Sequence, residues 1–182
     1  PPPKKLPPPR GPLRVTAAVM GGLGQVLRTQ GRDGDRIILE VDITEADLDV
    51  NKDDLTIEGA AGKNITWRAP AALDPKAKLL RVGGKSGFTL KGITLDGGGR
   101  PEGLIVVFGQ CKNLRIEDVT LRGGRLWNVM FGSAAGTPDS PMTLQNVRSH
   151  TAGPAESAVR FELFPFIKTI SENDHLIFKD CT

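Results

Sequence analysis

The sequence predicts a right-handed parallel β-helix, a solenoid of about five short-stranded coils with a short capping helix at its N-terminal end. Three observations carry this expectation. One strand motif recurs along the chain, each copy ends in a residue suited to a left-handed bend, and a second apolar alternation precedes most copies.

The first twelve residues, PPPKKLPPPRGP, are half proline with interspersed Lys and Arg. Such a stretch favours extended polyproline II and cannot pair as a central strand, so residues 1–12 read as a semi-rigid linker. An SH3-type ligand is the functional alternative for it. The domain is expected over residues 13–182. Leu23, Val26 and Leu27 then occupy one helical face, with Gly31 and Asp-Gly-Asp closing the segment. RIILEVDI, residues 36–43, has the β-branched enrichment of a strand. A helix, a Gly-Asp turn and a strand form the expected cap, which shields the first coil's edge from other chains.

The repeat has the form Φ-x-Φ-x-[Gly/Asp/Asn]-Φ. Its copies are Phe88-Thr-Leu90-Lys-Gly92-Ile93, Leu114-Arg-Ile116-Glu-Asp118-Val119, Met142-Thr-Leu144-Gln-Asn146-Val147 and Leu176-Ile-Phe178-Lys-Asp180-Cys181, spaced 26, 28 and 34 residues apart. Leu55-Thr-Ile57-Glu-Gly59 begins a fifth copy 33 residues earlier, with an insertion before Ile65-Thr-Trp67. Each alternation is a short strand with one buried face. Gly, Asp and Asn tolerate the left-handed backbone of a sharp bend, so bends are expected at Gly59, Gly92, Asp118, Asn146 and Asp180. The companion strands are Leu80-x-Val82, Val106-x-Phe108, Val129-x-Phe131 and Val159-x-Phe161. The chain stops inside a repeat, which suggests a fragment of a longer protein. An open last coil predicts end-to-end self-association or strand exchange.

Composition excludes several function classes. Net charge is only +3, basic and acidic residues intermix, and aromatics are 5% with no Tyr, so no nucleic-acid partner is expected. No apolar run reaches the roughly 18 residues of a membrane span, so no membrane insertion is expected. Cys111 and Cys181 lie 70 positions apart without metal-ligand spacing and read as small apolar residues, leaving the compartment undetermined. An extracytoplasmic or cell-surface location is the working expectation.

Two phosphate-loop look-alikes read as turns. Gly83-Gly84-Lys85-Ser86 lacks the first glycine of a Walker A loop, and Gly21-Gly22-Leu23-Gly24 lacks a preceding strand and the full spacing. Asp47, Asp49, Asn51 and Glu58 match an EF-hand loop except that Lys52 stands at its glycine, which makes them calcium candidates. The same residues also read as two strands around an NKDD turn. No other cofactor is expected.

From about residue 15 onward, the repeats and the GRDGDRIILE opening resemble the right-handed β-helices of the pectate-lyase-like superfamily. That resemblance implies either polysaccharide lyases and hydrolases or non-catalytic modules of larger bacterial proteins, some attached to receptor-like kinases. Outward positions form one column of Thr94, Thr120 and Arg148, and a second of Asp96, Arg122 and His150. For an enzyme acting on a uronic-acid polymer, the resemblance implies Asp96 as base, His150 as proton carrier and Arg122 as carboxylate clamp. The alternative for Asp96 and Arg122 is a surface ion pair. The Gly-His-Gly, Arg-Ile-Lys and clustered-aspartate motifs of those enzymes are missing. The expected function is therefore a non-catalytic recognition module for polysaccharide or a protein partner. Its ligand-binding candidates are Trp127, Arg122, Arg148, Thr94 and Thr120. Trp67 falls on an inward position, whereas Trp127 is the surface aromatic suited to a sugar ring.

Overall fold

A computed structural model describes residues 10–150 and 175–182. Among these residues the chain winds through three parallel sheets as a β-solenoid of about five turns, with one short helix. Sheet A contains, in spatial order, β1 (Leu13–Val15), β2 (Arg36–Leu39), β5 (Thr56–Gly59), β8 (Thr89–Lys91), β11 (Arg115–Glu117), β14 (Met142–Gln145) and β16 (Leu176–Lys179). Sheet B contains β3 (Ile43–Thr44), β6 (Ile65–Arg68), β9 (Ile93–Asp96), β12 (Thr120–Arg122) and β15 (Arg148–His150). Sheet C contains β4 (Leu48–Val50), β7 (Lys78–Gly83), β10 (Gly103–Gln110) and β13 (Trp127–Ala135). Helix α1 spans Gly22–Thr29 and buries Leu23, Val26 and Leu27, the three residues its periodicity nominates.

The inward ladders follow the repeat. Ile37, Ile57, Leu90, Ile116, Leu144 and Phe178 stack through sheet A. Ile43, Trp67, Leu95, Leu121 and Ser149 stack through sheet B. Trp67 is fully buried and its indole N–H donates to the Glu45 carbonyl at 2.9 Å, so its polar edge is satisfied within the core. Each such Leu or Ile brings roughly 1.5–3 kcal/mol of apolar burial, an upper bound against a compact unfolded chain.

Four of the five expected bends have the left-handed backbone: Gly92 (φ 64), Asp118 (φ 54), Asn146 (φ 51) and Asp180 (φ 52). Gly59 does not. A Cβ there meets the Gly92 carbonyl oxygen at 2.5 Å, so this glycine serves close approach between coils rather than handedness. A second left-handed corner, unremarked in the repeat, leads into sheet A at Asp54, Gly87 and Asn113.

Three expectations change. The 36–43 segment is two strands, because the chain turns from sheet A to sheet B between Leu39 and Ile43. In sheet C, Leu80 and Val82 align with Ile105 and Val107, so the inward pair of β10 lies one residue before the expected Val106 and Phe108. A continuous apolar run carries no phase of its own, and neighbouring strands set it. Finally, Arg10 is not free linker: its guanidinium pairs with Asp35, tying the expected linker's end to the body. The companion strand at Val159-x-Phe161 lies outside the described residues.

Candidate functional site

The outer face of sheet B carries both expected columns. Thr66, Thr94, Thr120 and Arg148 are register partners, as are Arg68, Asp96, Arg122 and His150. Arg122 donates to one Asp96 oxygen from Nη2 at 2.8 Å and from Nε at 3.0 Å. The other oxygen accepts the Gly98 N–H at 3.0 Å. Both oxygens are thus engaged by donors of the chain itself, the ion-pair alternative for Asp96 and Arg122. Arg68 points away to Asp42 at 2.6 Å, and that guanidinium holds the Asp42 carboxyl below the usual range. Arg148 and His150 are exposed at the end of the sheet. Asn128, which the sequence did not mark, joins sheets B and C there. Its side-chain amide donates to Ser149 Oγ at 2.8 Å and the His150 carbonyl at 3.0 Å.

The outer face of sheet C changes character along the solenoid. Asp49, Arg81, Val106 and Met130 are aligned, so charge gives way to apolar surface. Trp127 lies against the neighbouring strand at Gly103, where a Cβ would fall 1.9 Å from the indole Cζ3. Phe108 lies in the same way over Gly83, where a Cβ would meet its ring at 2.3 Å, and the residue is 45% exposed. Two aromatics therefore rest on bare glycine backbone across the strand ladder. Sequence reasoning found Trp127 and missed Phe108, because it placed Phe108 on the inward phase.

Basic side chains flank this surface where sheet B turns into sheet C. Lys76, Arg100 and Arg125 are exposed on successive loops. Arg100 donates to the Ala69 carbonyl at 2.9 Å and Arg125 to the Pro75 carbonyl at 3.2 Å, which fastens each loop to an earlier coil. Leu126, beside Trp127, is 45% exposed.

The calcium candidates are drawn apart. Asp47 and Asp49 converge on Arg81, with Nη1 at 3.0 Å from Asp47 and Nε at 2.6 Å from Asp49. The guanidinium supplies their positive charge and holds the Asp49 carboxyl below its ordinary range. Glu58 belongs to the outer face of sheet A, where it accepts from Arg36 Nε at 2.7 Å, and Asn51 lies exposed after β4. Among the described residues no three acidic, His or Cys side chains are grouped to hold a metal ion.

No family model, curated protein or solved structure matches this chain. Among the described residues no helix is long and apolar enough to cross a membrane. The fold and the surface chemistry are therefore the basis of the functional reading.

Proposed function

We propose that this β-solenoid is a recognition module, of the kind that the pectate-lyase-like resemblance implies for non-catalytic members, and that its ligand is a polysaccharide bearing acidic groups. The observation that carries this reading is the seating of Trp127 on Gly103 and Phe108 on Gly83, with Arg125 two residues before Trp127 and Arg100 and Lys76 on the loops that enter the neighbouring strands. An aromatic ring packed on backbone by one face offers the other to a pyranose at little entropic cost. Arg122, Arg125 and Arg148 supply guanidinium groups for carboxylates, and Thr94 and Thr120 supply hydroxyls on the adjoining sheet. Calorimetric titration with neutral and uronic-acid oligosaccharides tests the reading. Binding of an acidic glycan, weakened at least tenfold in Trp127→Ala and in Arg125→Ala, supports it. Absence of affinity for every glycan tried overturns it and leaves a protein partner as the ligand of this face.

The register alignment of Asp96, Arg122 and His150 favours a second reading, a polysaccharide lyase or hydrolase acting on the same class of polymer. It requires cleavage of pectin, alginate or chondroitin, with activity lost in Arg122→Ala and His150→Ala. Lack of product with all three polymers, with and without calcium, rules it out.

A further inference from the structure

Among the described residues, sheet A ends in a short strand that the chain lays over the edge of its own first coil. β1 contributes three residues, Leu13, Arg14 and Val15, aligned with Ile37, Ile38 and Leu39 of β2. All three β2 residues are buried, including Ile38 on the outer face at 7% exposure. Without β1, this apolar strand would be an open sheet edge, the kind of edge that templates pairing with another chain.

Two arginines hold β1 in place from outside the ladder. Arg14 pairs with Glu40, and the Glu40 N–H donates to the Val15 carbonyl at 2.9 Å. Three residues before Leu13, Arg10 reaches Asp35 from Nε at 2.9 Å, and Asp35 is the one charged residue among the described residues that is buried. Asp35 also accepts the Arg32 N–H at 2.7 Å, so its carboxylate is fixed before Arg10 arrives. The first coil thus presents an apolar edge flanked by a fixed carboxylate at one end and Glu40 at the other. The strand it matches reads Arg-x-x-Φ-Arg-Φ, which residues 10–15 supply.

The connection from β1 to α1, residues 16–21, is a natural hinge. Ala17 and Ala18 are exposed, Met20 is 90% exposed, and Gly21 has φ 76. Val19 packs against the core and anchors the α1 end of this segment, so the pivot is at residues 16–18, and release of β1 takes Leu13 and Val15 out of their core contacts while α1 stays docked.

We infer that the edge of β2 is a strand-docking site that residues 10–15 occupy in cis, and that the same residues of a second copy occupy it in trans when the hinge prevents cis closure. The occupant in trans is specified by charge: a strand carrying both arginines satisfies Asp35 and Glu40, whereas an arbitrary strand leaves the buried Asp35 carboxylate without its guanidinium. This exchange is independent of the ligand reading above, since it uses neither sheet C nor the outer face of sheet B. In the monomer, the short tether holds the cis strand at an effective concentration on the order of millimolar, so trans pairing is suppressed. Shortening a hinge is the change that converts such an arrangement into an exchanged dimer.

The test uses the full chain with Ala17 and Ala18 deleted, followed by sedimentation and by hydrogen exchange over residues 36–40. The expected result is a dimer in which the β2 amides stay protected, and a return to monomer, with protection at least tenfold lower, when Arg14→Glu is added. A strict monomer, or a dimer indifferent to Arg14→Glu, overturns the inference. A second measurement avoids reliance on the deletion. A labelled peptide with the sequence of residues 10–16 is titrated into the full chain carrying Arg14→Glu and into the unaltered chain. Saturable binding at least tenfold tighter to the variant is expected, and equal or no binding to both overturns the inference.

Discussion

The Glu45 carboxylate accepts the backbone N–H of Gly24 at 2.7 Å, and its other oxygen accepts that of Leu23 at 2.6 Å. The first turn of α1 leaves N–H groups without intrahelical partners, and a carboxylate placed there satisfies two of them while meeting the positive end of the helix dipole. Gly22 and Gly24 make the approach possible: a Cβ on Gly22 would fall 2.0 Å from one Glu45 oxygen, and on Gly24 2.8 Å from the other. The GGLG run thus grips an anion of its own chain, and the cap is fastened to the first coil by that contact.

Replacing Glu45 by Ala strands those donors. The expected loss is about 1.5–3 kcal/mol, as for hydrogen bonds to a charged group, seen as a lowered urea midpoint. Glu45→Gln keeps the shape and one acceptor oxygen but loses the charge and turns an NH2 donor toward the second N–H, so it recovers only part of the difference. Equal stability of Glu45→Ala and the unaltered protein would show that α1 is held by its apolar face alone.

Acid weakens the solenoid through three aspartates. The carboxyls of Asp35, Asp42 and Asp49 lie below their ordinary value because Arg10, Arg68 and Arg81 hydrogen-bond to their charged forms. A depressed folded value contributes stability that is present above the unfolded value and is lost as pH falls through the folded one. Stability is therefore expected to be level near neutrality with respect to these groups and to drop below about pH 4. Salt should reduce the contributions of exposed Asp42 and Asp49 more than that of buried Asp35. Urea midpoints from pH 6 to pH 2 check this, and Asp35→Asn should flatten the acid limb.

Asn146 separates handedness from hydrogen bonding. Its φ is 51, and its side-chain amide donates to Asp118 of the preceding coil at 2.8 Å. Asn146→Gly keeps the left-handed backbone and loses the side-chain bond, whereas Asn146→Ala loses both. The alanine variant should be less stable than the glycine variant by about 1 kcal/mol. Equal urea midpoints for the two would mean that the corner relaxes out of the left-handed region.

Gly103→Ala should lift the indole of Trp127 off β10, since its new Cβ has no room beneath the ring. The expected stability cost is about 1–3 kcal/mol, as for other overpacked contacts. Iodide quenching should rise for one of the two tryptophans and leave the other unchanged, because Trp67 is fully buried. The same variant should lose acidic-glycan affinity together with Trp127→Ala. Unaltered quenching would show that the ring is not seated on this glycine.

The sequence by itself determined the solenoid. Alternation at Leu90, Ile116 and Leu144, followed by Gly92, Asp118 and Asn146, is local information: period two sets a buried face, and residues that accept positive φ set the corner. It also put Trp67 inside and aligned Asp96 with Arg122 and His150, because register follows once the corners are matched. What only the tertiary structure decided are relations between residues more than about twenty positions apart that have no repeat to announce them. The phase of Gly103–Gln110 came from β7, since an unbroken apolar run offers both faces equally. Glu45 against Gly24, Arg10 against Asp35, and Arg81 between Asp47 and Asp49 arose from stacking one coil upon the next. Each pairs a charge with a partner that chain spacing does not specify, so the candidate aromatic surface and the strand at the first edge became visible only when the coils were laid in register.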